Sequence, residues 1–240
     1  MGRCFKAELY KFVHTPLLII HVLVSLLCPM IFVGYYQFAN IDELNKLFIY
    51  EQIIAVSFPM MIAIICYMAA KLEKEANNAQ LMLIYPAHQL AVHLSKLMVM
   101  MMFGMLACLT TFGLFGLGLA FMGHNNYAAM FYIKSALSLF YATIPLYIFN
   151  YLLAMKANNS VNLTFGLFGS LLAALLTTGL GDRNWFLLLH GIIARGVTNM
   201  LINSSNEVYN IKVMILIYMI IAFITACICL YHFEGFKDSD

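Results

Sequence analysis

Charge is the scarcest property of this 240-residue chain: Asp, Glu, Lys and Arg make up 10% of it and hydrophobic residues 63%. Soluble domains carry roughly 25% charged and 45–50% apolar residues, so an ordinary water-soluble fold is excluded. The net charge of +2 leaves no basic surface for nucleic acid. Six cysteines are spread along the chain, mostly inside apolar runs, where a thiol behaves as a small hydrophobe rather than as half of a disulfide. Cys227 and Cys229 are two apart and point to different faces of a helix, which makes a poor zinc pair. His14 and His21 share a helix face but are separated by about 10.5 Å of rise, too far for one metal ion.

Catalytic patterns are missing as well. No phosphate loop of the form GxxxxGK[ST] occurs, so the chain is not expected to hydrolyse ATP itself. The run GLFGLG, with Gly113, Gly116 and Gly118, lies inside an apolar stretch and reads as close helix packing, as do Gly166 and Gly169. Paired acids, a His pair or a Ser/Lys arrangement at membrane depth would mark an intramembrane enzyme, and none is present. Catalytic and metal sites are therefore not expected. Asn150 and Asn162 read as interhelical hydrogen bonders, and Pro29, Pro59 and Pro145 as residues inside helices.

What the chain does have is six charge-free stretches: Leu17–Tyr36, Gln52–Ala70, Leu97–Gly123, Ser135–Met155, Val161–Gly181 and Val213–Phe233. All 13 basic and all 11 acidic residues fall outside them. Since one charge at the centre of a span costs roughly 2.5–3.5 kcal/mol on insertion, this segregation predicts an all-α protein with six transmembrane helices. With the N-terminus inside, the inner segments hold eight Lys and Arg and the outer ones five, which predicts cytoplasmic N- and C-termini.

The connections differ in character. Met1–Pro16 carries Arg3, Lys6 and Lys11 with Phe5, Leu9, Phe12 and Val13 at helical spacing, the pattern of an amphipathic helix in the membrane surface. Gln37–Glu51 and His124–Lys134 read as simple outer connections. Asp182–Lys212 contains a mostly apolar stretch from Trp185 to Met200, interrupted by Arg195. It is expected to be re-entrant or to lie flat at the outer interface, with Trp185 at headgroup level, and Trp185, His190 and Arg195 are candidates for an outer gate or exit.

The stretch Lys71–Lys96, KLEKEANNAQLMLIYPAHQLAVHLSK, is the largest break in the first half. Lys71, Glu73, Lys74 and Glu75 are expected to sit in water. Asn77 and Asn78 can cap a helix, Ala79, Gln80, Leu81, Met82, Leu83, Ile84 and Tyr85 make about two turns, and Pro86 ends them. Apolar residues displayed outside the bilayer need a host, either another protein or the lipid surface.

An N-terminal amphipathic helix, six spans, a cytoplasmic helix between spans two and three, and an outer hairpin before span six together resemble the permease subunits of ABC-2-type exporters. Glu75, Asn77, Leu83, Pro86 and Lys96 resemble that family's pattern ahead of span three, where the coupling helix docks on the nucleotide-binding subunit. Ala79 stands where a Gly is usual, and His88 or Gln89 where a basic residue commonly follows the Pro. The wording EKEANNAQLMLIYP is similar to the lantibiotic immunity permeases of Gram-positive bacteria. The resemblance implies a multi-pass bacterial membrane protein that pairs with a second permease subunit and a cytoplasmic ABC ATPase dimer holding ATP and Mg. The implied cargo is a lantibiotic-type peptide. The alternatives are another hydrophobic cargo, such as a lipid or drug, and a membrane enzyme or scaffold without an ATPase.

Overall fold

The computed structural model describes residues 2–39, 41–75, 89–123, 127–157, 159–182 and 185–196, with positions 218, 220 and 224. Six helices carry the fold: α1 (Gly2–Val13), α2 (Pro16–Tyr36), α3 (Glu43–Glu75), α4 (Gln89–Phe121), α5 (Ala129–Lys156) and α6 (Asn159–Thr177). No strand occurs among the described residues. Five of the helices, α2 to α6, are long and apolar enough to cross a membrane. The expected sixth span, Val213–Phe233, lies outside the described residues apart from Tyr218, Ile220 and Ile224, which are helical.

The chain breaks at His14 and Thr15, and α2 restarts with Pro16 in its first turn, where the missing N–H is no loss and φ is already helical. The end of α4 is set by Gly123, whose φ of 71° is the left-handed conformation that closes helices. Pro59 interrupts the ladder of α3, and the N–H of Met60 donates instead to Ser170 Oγ on α6 at 3.1 Å. A neighbouring helix thus satisfies a backbone group that lipid could not.

α3, α4 and α5 outrun their apolar stretches at one end or both, whereas α6 stops at Thr177, short of the expected Gly181. At 33 residues each, α3 and α4 are about 50 Å long, against about 30 Å of hydrocarbon. Gln37–Glu51 is accordingly not a simple connection, because α3 starts at Glu43. Likewise α5 starts at Ala129. Glu51 is not an outer-loop acid in water: its residue is 3% exposed and Oε1 has no hydrogen-bond partner. It continues the inner stripe formed by Leu47 and Ala55, both buried.

α3 and α6 pack closely along their length. Asn162 Nδ2 donates to Ala63 O at 2.8 Å, the interhelical bond expected of it, whereas Asn150 Nδ2 turns back to Leu146 O of its own helix. A Cβ added at Gly166 would press on Ala63 Cβ and on the carbonyl of Pro59, and one at Gly169 on His190 and Pro59. Gly116 and Gly118 play the same part against Tyr132 and Val33, but Gly113 faces open space. An aromatic stack continues the core between α2, α3 and α4: Tyr50 lies parallel to Phe115 at 3.8 Å between ring centres, and its hydroxyl donates to Thr111 O.

Candidate functional site

At one end of the bundle α1, α3 and α4 each place a buried charge on their inner stripes. On α1 the buried residues are Cys4, Glu8 and Phe12, spaced by four. On α3 the buried series Cys66, Ala69 and Ala70 is continued by Glu73, and on α4 His93 and Lys96 precede Val99 and Met100. Glu8, Glu73 and Lys96 are 6%, 7% and 5% exposed, so the expectation that Glu73 sits in water is overturned. The reason is pairing: an isolated charge would be prohibitive there, but opposite charges meeting inside protein offset one another.

Lys11 Nζ lies 3.0 Å from Glu8 Oε1 and 3.1 Å from Glu73 Oε1. Lys96 Nζ lies 3.6 Å from Glu8 Oε2 and makes a direct ion pair with Glu73 Oε1. Two acids and two bases from α1, α3 and α4 thus form a cluster with no net charge, and Lys11 keeps half its side chain in solvent. These groups lie beyond the apolar stretches, on the side from which residues 76–88 leave the bundle. Burial alone would raise the Glu73 carboxyl, yet the charges and hydrogen bonds of Lys96 and Lys11 outweigh it and hold the group below its ordinary value. Burial would likewise lower Lys11, but Glu8 and Glu73 hold its ammonium above the usual range.

The next residue of α3 ties in a fourth helix. Lys74 Nζ donates to Ala154 O at 3.0 Å and to Ala157 O at 3.4 Å, satisfying carbonyls that the C-terminus of α5 leaves open and placing a cation at the negative end of its dipole. His93 is buried, with Nδ1 2.8 Å from the Tyr151 hydroxyl of α5. Burial and nearby Lys96 push it down to about 4, leaving the ring neutral. The arrangement is mechanical: residues 76–88 leave from and return to two helix ends that are fastened to each other, to α1 and to α5.

Of the residues expected to couple to an ATPase, Glu75 closes α3, exposed and 3.6 Å from Lys71. Asn77, Asn78, Ala79, Gln80, Leu81, Met82, Leu83, Ile84, Tyr85 and Pro86 lie outside the described residues. Sequence reasoning did not single out Glu8, Lys11, Glu73, Lys74 or Lys96 as a unit, although the three- and four-residue spacing of their inner stripes carried the signal.

At the other end of α6 three short turns, Gly179–Gly181, Trp185–Leu187 and Leu189–Gly191, run into a π-helical turn, Ile192–Gly196. Ile193 and Ala194 are fully buried. Trp185 is enclosed, 2% exposed, in a cluster with Leu176 and Ile192. The segment bends tightly enough to bring the ring into protein, and Gly191 permits this by lying against the Trp185 carbonyl. His190 rests on Gly169 of α6 and faces the Phe165 ring at 6.0 Å. Arg195 is paired with Asp182 at 2.7 Å, so the segment is latched back onto its own start.

Comparison with curated proteins gives no match. Comparison with protein families matches residues 4–173 to the family described as ABC-2 family transporter protein. That stretch runs from α1 nearly to the end of α6 and contains all four charges of the cluster. Membrane-crossing helices and a match over most of the chain lead to one conclusion: the protein belongs to the ABC-2 transporter family.

Proposed function

We propose that this chain is the membrane-spanning subunit of an exporter, driven by two separate cytoplasmic ATPase subunits that hold ATP and Mg, and working beside a second permease subunit. The single observation that carries this reading is the charge cluster at the root of residues 76–88. A push on that segment is delivered to helix ends whose relative positions are fixed, so it moves packed helices between discrete arrangements instead of being absorbed by a slack loop. Asn77–Tyr85 is the surface the ATPase grips, with Glu75 and Pro86 as its borders. N- and C-termini are cytoplasmic. Trp185, His190 and Arg195 belong to a re-entrant outer segment that borders the exit. The cargo is a lantibiotic-type cationic peptide, removed from the membrane to protect the cell.

Two measurements test the reading. Leu83→Glu places a charge in the gripped surface; export is expected to fall at least tenfold while the amount of protein in the membrane stays within twofold of wild type. Normal export by this variant, or purification of the working transporter with no ATPase attached, overturns the coupling assignment. Cells with and without the gene are then compared for sensitivity to a lantibiotic. Loss of the gene is expected to raise sensitivity several-fold, and equal sensitivity removes the peptide cargo while leaving the exporter in place.

A further inference from the structure

Between α2, α3 and α4 the bundle leaves a cleft of about 90 Å³ with Tyr147 of α5 at its floor. Small residues create it. Ser25 and Cys28 on α2, Ser57 on α3, and Gly104, Ala107 and Cys108 on α4 converge there, where close-packed interiors ordinarily leave little room. The floor, Gly104, Cys108 and Tyr147, is buried, whereas Val24 and Ser57 at the mouth are exposed. The cleft therefore opens sideways between α2 and α3. Its level on each helix falls within the charge-free stretches, at the depth of lipid chains.

The polar lining is largely spent. Ser25 Oγ donates to Val22 O at 3.0 Å, Ser57 Oγ to Ile54 O at 2.7 Å and Thr111 Oγ1 to Ala107 O at 2.7 Å. His21, at the end nearest α1, binds Leu17 O through Nδ1 at 2.7 Å, leaving Nε2 as an acceptor without a partner. With its serine and threonine hydroxyls turned to their own backbones, the wall presents mainly hydrocarbon and sulfur to whatever enters, and the Tyr147 hydroxyl lies against Gly104 at the floor. A lining of this kind gains dispersion contacts from an apolar occupant that fills it, and the molecules at hand at that depth are acyl chains.

We propose that this cleft is a lipid site: one acyl chain of a bilayer phospholipid enters between α2 and α3 and packs against Gly104, Ala107 and Cys108. The site lies within a single subunit and does not depend on which cargo is exported. The chain acts as a wedge that sets the distance between α2 and α3.

The test uses the full chain in bilayer discs of phosphatidylethanolamine and phosphatidylglycerol, doped with a phospholipid carrying a photoreactive diazirine in its acyl chain. Adducts mapped by mass spectrometry are expected on the walls and floor, at Cys28, Ala107 and Cys108, as well as on outward residues such as Leu23 and Leu27. Ala107→Leu and Ser57→Leu, filling the cleft from opposite walls, are each expected to cut inner adducts at least fivefold and leave outward ones unchanged. Adducts confined to the outward residues of wild-type protein overturn the proposal, as do inner adducts that survive both substitutions. Loss of inner adducts on adding a lantibiotic peptide, with outward adducts retained, also overturns it, since the cleft would then belong to the cargo.

Discussion

Replacing Lys96 with methionine destabilises the protein by about 3–5 kcal/mol, the cost of removing one partner from a buried ion pair. Lys96 is 5% exposed and touches both acids of the cluster, so its loss leaves Glu8 and Glu73 facing each other with only Lys11 between them. Lys11 itself is half in solvent but its partners Glu8 and Glu73 are buried, and Lys11→Met is expected to cost less, about 1–3 kcal/mol, the loss of hydrogen bonds to charged groups that water partly replaces. The double variant Glu73→Gln/Lys96→Met removes opposite charges together and recovers much of the lost stability. Denaturant titration of the purified protein in detergent reads all three. A Lys96→Met variant as stable as Lys11→Met would show that the cluster does not hold the helices together. Export is expected to fall in proportion to the fastening lost, and the double variant should regain folding ahead of transport.

The pH dependence follows from the same geometry. Glu73 is held below its ordinary value of 4.5, so its contribution is present above that value and is lost as pH falls through the lower value in the folded protein. Lys11 is held above its ordinary 10.5, so its contribution is complete below that value and is lost as pH rises through the higher folded value. Between about 4.5 and 10.5 neither group gives up its share of the stabilisation.

The second large effect is expected at Gly166. A single methyl in Gly166→Ala presses on Ala63 and on backbone atoms of Pro59 and Met60, which cannot rotate away as a side-chain end would. α6 must lift from α3, stretching the Asn162 bond to Ala63 O and the Met60 bond to Ser170. Overpacking and two weakened interhelical bonds together cost about 2–4 kcal/mol. Gly113→Ala is the control, because a Cβ there meets nothing within 4 Å and alanine favours helix. Its melting temperature should match wild type or rise slightly, while that of Gly166→Ala falls by several degrees. Equal melting of the two variants would rule out glycine-mediated contact between α3 and α6.

Much of the fold was legible because lipid makes charge an unusually clean marker. The first five stretches free of Asp, Glu, Lys and Arg fall largely within α2 to α6. Their ends were less legible, since a run of apolar residues stops at the first charge but a helix does not: α3 carries on through Lys71 and Glu73 to Glu75. The same habit of assigning every charge to water hid the cluster. Glu8 and Lys96 are distant in sequence, and nothing local announces that they meet. Yet each occupies the position three or four residues along from a buried neighbour, so extending the apolar stripe of each helix into its charged end would have directed them inward. Glu51 was missed in the same way, as the continuation of Leu47 and Ala55. The enclosure of Trp185 by protein was not legible, because the bend that encloses it depends on Gly191 lying against its carbonyl.

That enclosure gives the protein a built-in optical reporter. The chain has one tryptophan, and its indole is shielded from solvent between the end of α6 and the turns that follow. Ultraviolet emission from the intact protein therefore arises chiefly from one spot near the proposed exit, and any stage of the transport cycle that admits water there will shift the spectrum to longer wavelength with no dye attached.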